Sequence, residues 1–538
     1  MKLPFLSILI TLSFLSVSAQ SKIDVLHYKF AIELSDANDS IHGIATITFV
    51  IQEQVGKTPL NLIMLDLEPV KDKKRGMQII RFEKTSMNKA GPLYKYSNSG
   101  KLLFHCAEDV QVGDTVSVAI SYRGIPSDGL IISKNKFGNR TFFADNWPDR
   151  AHFWIPVNED PADKASFEFL VTAPLHYQVV ANGFLVEETN LSQNRRFTHW
   201  KEDIPLSTKI MAIGVADFAV NYTGNVGSVP VSTWVYPEDR ERGFYDFEIA
   251  KDVLAWMVGY IGPFPYQKLA NVESTTRFGG MENAGAIFYN EKEVTGMRVQ
   301  ESTIAHEIAH QWFGDMATEK KYAHLWLSEG FATYFSHLYL ASKYGEARLD
   351  NEMESNRGKI IDFVKTSNRP VVDSLSATMD LLNANSYDKG CWFLHMLRTQ
   401  LGDSVFRQVI RTYYSKFAGA NADTKDFQSV AEAVSGKNLE VFFKQWLYTP
   451  GIPDLKVKWT YAANDKKILI TVEQVQKQLF EFPLDLRVVS TDGSSAVHSI
   501  SITKQSQQFS IPANEKPARL TLDPRTVLLF EAVISSNN

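Results

Sequence analysis

The sequence predicts a multidomain α+β protein: an N-terminal β domain, a mainly helical central domain and a small C-terminal β-sandwich. Three observations carry this expectation. From about Val25 to Phe218 the apolar residues fall in short alternating runs, such as HYKFAIEL, IATITFVIQ, VSVAISY and SFEFLVTA, separated by Gly, Asp and Asn turns. Alternation with period two is the mark of strands with one buried face. From about Phe244 to Trp446 the period lengthens, and FYDFEIAKDVLAWMVGYIG and CWFLHMLRTQLGDSVFRQVIRTYYSKF both read as amphipathic helical sequence. YTPGIPDL, residues 448–455, then interrupts with two prolines and a glycine. After it DLKVKWTYAA, KKILITVEQV and PLDLRVVST alternate again, which suits a sandwich. The implied boundaries are 20–218 for the β domain, 219–450 for the central domain and 451–538 for the sandwich.

Composition narrows the function. The 538 residues are 44% hydrophobic and 22% charged, with a formal net charge of −5. That is ordinary globular chemistry, and without a basic footprint nucleic acid is not an expected partner. The opening MKLPFLSILITLSFLSVSAQS places Lys2 before an apolar run from Leu3 to Leu15, then Val17-Ser18-Ala19. This reads as a signal peptide, 1–19, cut after Ala19, and it predicts an exported protein, periplasmic or extracellular. No later run is long and apolar enough for a stable membrane span. The two cysteines, Cys106 and Cys391, fall in different predicted domains and are expected to be unbridged thiols.

The chemistry concentrates in ESTIAHEIAHQWFGD, residues 301–315. On a helix, residues four apart share a face, so His306 and His310 can aim two imidazoles at one point. Zinc accepts neutral imidazole nitrogen in roughly tetrahedral sites. Glu307, beside the first histidine, is angled away from ligation and suited to take a proton from a water held by the metal. The next helix, LWLSEGFATYFSHLYLASKYG, carries Glu329, and eighteen residues separate it from His310. That gap allows one helix to end, a turn near 314–324, and a second helix to pack back. Two histidines and a glutamate around one zinc ion leave a position open for water, the catalytic rather than the structural arrangement. Glu329 also sits in an apolar run, where an acid needs a partner.

HEIAHQWFGD…WLSEGFATYF resembles the gluzincin aminopeptidases of the aminopeptidase N family. Upstream, Gly279-Gly280-Met281-Glu282-Asn283 in RFGGMENAGAIFYN is similar to that family's exopeptidase motif. The resemblance implies a β-sheet saddle for the N-terminal domain and a thermolysin-like catalytic domain. It implies that Glu282 binds the free α-ammonium of a peptide substrate, and that the glycine-side segment pairs with the peptide backbone. It also places Tyr387, in SYDKGCWF, at the oxyanion. Physical chemistry supports the first role independently. A buried carboxylate at fixed distance from the metal separates a charged N-terminus from an amide, because an acylated end leaves it unpaired. A Gly-Gly pair lets backbone approach closely.

The chain departs from the family's pattern in places. Pro156-Val157-Asn158-Glu159 and Ser328 replace more usual residues. No glutamine or glutamate stands in FFADNWPDR, where many members offer a second group to the substrate amine, and Asp145 or Asn146 is the expected substitute. The chain also lacks the helical domain that larger members add after the sandwich. The expected function is an exported zinc aminopeptidase acting on peptides with a free N-terminus. A zinc endopeptidase, a hydrolase of a lipid epoxide and an inactive peptide-binding scaffold remain as alternatives. Residue preference and oligomeric state are not encoded legibly.

Overall fold

The computed structural model describes residues 23–53, 62–70, 75–84, 94–96, 100–105 and 110–536. The predicted signal peptide and Cys106 lie outside them; Cys391 is a buried free thiol. Among the described residues no helix is long and apolar enough to cross a membrane.

The N-terminal segment forms a seven-stranded sheet, a four-stranded sheet and a three-stranded sheet. The large sheet is antiparallel except where Ile23–Glu33 runs parallel to Ala165–Pro174. Its sequence alternation becomes real sidedness. Tyr28, Phe30 and Ile32 are buried, as are Ala45, Ile47 and Phe49 on the next strand. Phe30 stacks on Phe169 at 5.4 Å, so facing strands interlock through aromatic rings.

The central segment begins with a five-stranded mixed sheet. Its edge is the two-residue strand Gly280–Met281, antiparallel to Phe288 and Tyr289 and unpaired on its other side. Two helices lie across from this edge. Glu301–His310 is buried on the side of Ile304, Ala305 and Ile308. Trp326–Tyr344 is buried at every position from Trp326 to Ala341, its polar residues Ser328, Glu329, Thr333, Ser336 and His337 included. Phe313, just past the first helix, packs on Phe331 and Phe335 of the second at 4.7 and 5.1 Å. That aromatic contact fixes the pair. The connection between them does more than turn: Thr318–Glu319 pairs in parallel with Asn421–Ala422.

The long amphipathic readings break where glycine allows. CWFLHMLRTQLGDSVFRQVIRTYYSKF is two helices, Gly390–Leu401 and Asp403–Phe417, divided at Gly402 with φ 81°. A π-helical turn, Asn385–Lys389, leads into the first of them. Here two helices touch backbone to backbone. A Cβ on Gly330 would lie 2.8 Å from the Gly390 Cα, so neither position has room for a side chain.

The C-terminal segment packs a four-stranded sheet against a three-stranded one, with Leu455, Val457, Ile468, Ile470, Leu484 and Leu486 buried between. It braces the central helices directly. Lys389 Nζ donates to the Gly451 carbonyl at 2.7 Å, and Arg357 pairs with Asp523 at 2.8 Å. The N-terminal domain braces the other side, where Asn182 Nδ2 donates to the Ala284 carbonyl at 2.8 Å, two residues beyond Glu282.

Candidate active site

The predicted ligands meet. His306 Nε2 and His310 Nε2 are 3.0 Å apart, and each is 3.3 Å from Glu329 Oε2. The other ring nitrogens explain this orientation. His310 Nδ1 lies 3.1 Å from the Phe313 carbonyl, which can only accept, so Nδ1 carries the proton and Nε2 keeps its lone pair. Ser328 Oγ adds a second contact to the same Nδ1 at 3.0 Å, and Thr333 Oγ1 stands 3.5 Å from His306 Nδ1. Partners of this kind hold a metal-ligating imidazole in its tautomer. Ser328, read from the sequence as a tolerable departure, is therefore a structural support of the ligand set.

The donor set fits a zinc ion. Two imidazole nitrogens and one carboxylate oxygen lie within 4.8 Å of one another, and all three belong to helices rigidly packed together. Electrostatics agree. Glu282, Glu307 and Glu329 are all buried around the two histidines, so the site is short of positive charge. Burial opposes charge on His310, yet Glu329, with Glu282 and Glu307, pushes its imidazole up to about 10. A divalent cation answers the same demand. Replacing Ser328 by alanine is expected to weaken zinc binding about 10–100-fold, read by competition with a chromogenic chelator; unchanged affinity would show that the Phe313 carbonyl suffices.

Glu307 is buried one step from the ligands and outside their cluster. Gly280 packs directly on it: a Cβ there would sit 2.3 Å from Glu307 Oε1. Burial pushes the Glu307 carboxyl well above the usual carboxylate range, and Glu282 and Glu329 push it further, against the pull of His310. Tyr387 sits in the π-helical turn, its ring parallel to that of His306 at 6.0 Å. Burial, with Glu329, Glu282 and Glu307 nearby, pushes its phenol well above the ordinary value, so it stays a proton donor. The Gly330–Gly390 contact brings it there.

The edge-strand residues divide. Gly279, Gly280, Met281 and Glu282 line a cavity of 230 Å³ together with the metal site and Tyr387. Glu282 Oε1 is buried without a hydrogen-bond partner, as a carboxylate reserved for an incoming cation would be. Its backbone is held by Gln311, whose Nε2 donates to the Glu282 carbonyl and to Asp315 Oδ2, both at 2.9 Å, while Gly285 N–H donates to Gln311 Oε1 at 2.7 Å. Gln311 was not singled out from the sequence, although a polar residue directly after His310 on a buried helix was the available signal. Asn283 is buried but does not line the cavity.

Neither Asp145 nor Asn146 lines the cavity. Asn146 donates to the Thr208 and Met211 carbonyls and accepts from Trp154 Nε1, which uses its whole amide. Asp145 Oδ1 accepts from Arg150 at 2.6 Å, while its Oδ2 is buried without a hydrogen-bond partner. The N-terminal domain contributes Trp147 instead, with Phe278 and Leu382 completing the apolar lining. A larger open depression of 940 Å³ along Arg398, Arg407 and Arg411 holds none of the candidate residues.

Comparison with known proteins matches two segments of the chain to one peptidase family. Residues 25–210 match the model of the Peptidase M1 N-terminal domain, and residues 245–446 match that of the Peptidase family M1 domain. The chain is 29% identical over 361 residues to Probable aminopeptidase 2 of Sulfurisphaera tokodaii, covering 63% of this chain and 45% of that protein. It is 25% identical over 459 residues to Aminopeptidase 2 of Candida albicans, covering 80% of this chain and 48% of the relative. The match spans between 36% and 50% of the length of such curated relatives. The fold follows that of Legionella pneumophila aminopeptidase A, solved in complex with aspartic acid, with a TM-score of 0.81 at 17% identity over 97% of this chain and 61% of that one.

Proposed function

The chain belongs to peptidase family M1, and from that premise we propose that it is a zinc-dependent aminopeptidase, exported through residues 1–19 to the periplasm or the cell exterior, that removes the N-terminal residue of peptides. The observation that carries the reading is the unpartnered carboxylate of Glu282 in the same small cavity as the His306–His310–Glu329 cluster. An endopeptidase has no use for a buried anion at that place.

The residues divide the work as follows. His306, His310 and Glu329 would hold one zinc ion, which when bound supplies Lewis acidity to the scissile carbonyl and to the attacking water. Glu282 takes the peptide's α-ammonium and so sets which carbonyl is presented. The Gly280–Met281 edge, open on one side, offers backbone groups to the extended peptide. Glu307 removes a proton from the water and delivers it to the departing amine. Tyr387 donates its phenol proton as a hydrogen bond to the oxygen that gains charge. Apolar walls limit the water that reaches these groups.

The test pairs free-amine with N-acetylated peptides on zinc-loaded protein, then removes the metal with chelator and restores it. Stepwise release of single residues from free-amine peptides alone, abolished and recovered with zinc, is the expected result. Internal or equal cleavage of acetylated peptides would move the chain to the endopeptidases.

A further inference from the structure

The walls of the cavity divide by chemistry. Acids and imidazoles crowd one part, while Trp147, Phe278, Met281 and Leu382 supply the apolar surface, and no lysine or arginine lines it. Cations near the site are already paired: Lys209 with Glu319 at 2.5 Å, Arg150 with Asp145 at 2.6 Å, Arg277 with Asp128 at 2.5 Å. Trp147 is buried and meets Phe278 and Tyr322 edge-to-face at 6.1 and 6.3 Å, so its indole is a fixed wall rather than an adaptable one.

We propose that Trp147 is a specificity-determining residue, and that the site takes peptides whose first residue is uncharged and apolar, its side chain packed on Trp147 and Phe278. This deepens the aminopeptidase reading and rests on it. An acidic first residue would bring a fourth carboxylate beside the three already there, with no lysine or arginine on the apolar wall to pair it. A basic first residue would find Glu282 occupied by the α-ammonium and apolar rings along the rest of its stem. An apolar side chain gains with each methylene it buries, about 10–200-fold in specificity.

The experiment compares kcat/KM of zinc-loaded protein on leucyl, methionyl, alanyl, glutamyl and arginyl p-nitroanilides, for wild type, Trp147→Ala and Trp147→Phe. Leucyl and methionyl substrates are expected to exceed alanyl about tenfold or more and both charged substrates about 100-fold or more. Trp147→Ala is expected to cut the leucyl-to-alanyl ratio about tenfold, with Trp147→Phe in between. The ratio is read because a general structural lesion lowers both substrates together; should the alanine variant not fold, the phenylalanine variant still carries the comparison. A preference for the glutamyl or arginyl substrate, or variants that scale all substrates equally, overturns the inference while leaving the aminopeptidase reading in place. Failure to cleave any free-amine substrate overturns both.

Discussion

Glu307→Gln should lower kcat about 10²–10⁴-fold while zinc stays bound. The amide has nearly the shape of the carboxylate and keeps the packing against Gly280, where no more than a hydrogen-sized group fits. It cannot accept a proton from water, however, and no other carboxylate of the cavity is free to do so: Glu329 belongs to the ligand cluster and Glu282 is assigned to the amine. The decisive pair of readings is turnover together with zinc content. Lost turnover at full zinc content assigns Glu307 as general base. Turnover within about threefold of wild type would place the proton transfer elsewhere, and loss of zinc would make Glu307 a ligand, against the geometry.

Glu282→Gln is the second large effect, and its signature is different. Removing one partner from a buried charge pair costs about 2–5 kcal/mol, which corresponds to roughly 30- to 5,000-fold. The loss should fall on KM for free-amine peptides and should leave acetylated peptides nearly untouched, so that discrimination between the two collapses. Glu307→Gln slows whatever is bound; Glu282→Gln changes what is bound. If discrimination survives in the Glu282 variant, the amine is recognised by some other group, and Trp147 becomes the first residue to examine.

Much of the fold and the histidine pair of the candidate metal site were legible in the sequence because they are periodic. His306 and His310 share a helical face by spacing alone, and an eighteen-residue gap allows a second helix to pack Glu329 back onto them, as it does. The β domain announced itself through alternation that the Ala165–Pro174 strand obeys at every residue. What lies away from the cavity, against expectation, lacks a period. After the strand Arg140–Ala144 the chain enters a loop, and the directions of Asp145 and Asn146 are set by irregular contacts: Thr208 and Met211, more than sixty residues away, and Trp154 nearby for the amide, Arg150 nearby for the acid. Residue type favoured the two polar side chains as substrate contacts. The Asn146 amide is taken up within the protein, Asp145 Oδ1 pairs with Arg150 while its Oδ2 has no partner, and the neighbouring Trp147 faces the cavity. Ser328 and Gln311 were illegible for a related reason, since support of a ligand is a property of distance rather than of spacing.

The contact between Gly330 and Gly390 bears on how this site can change. The carboxylate ligand stands one residue before the first glycine, and the tyrosine three residues before the second. With backbone against backbone and nothing between, the two groups are members of a single joint. A methyl group added at either glycine would pry the helices apart and shift ligand and phenol in the same stroke, so metal retention and turnover would decline together instead of being tuned separately. Sequence drift is therefore expected to leave both glycines in place as long as the joint is used, and their loss in a relative would mark a chain that has abandoned the chemistry even if every ligand were still present.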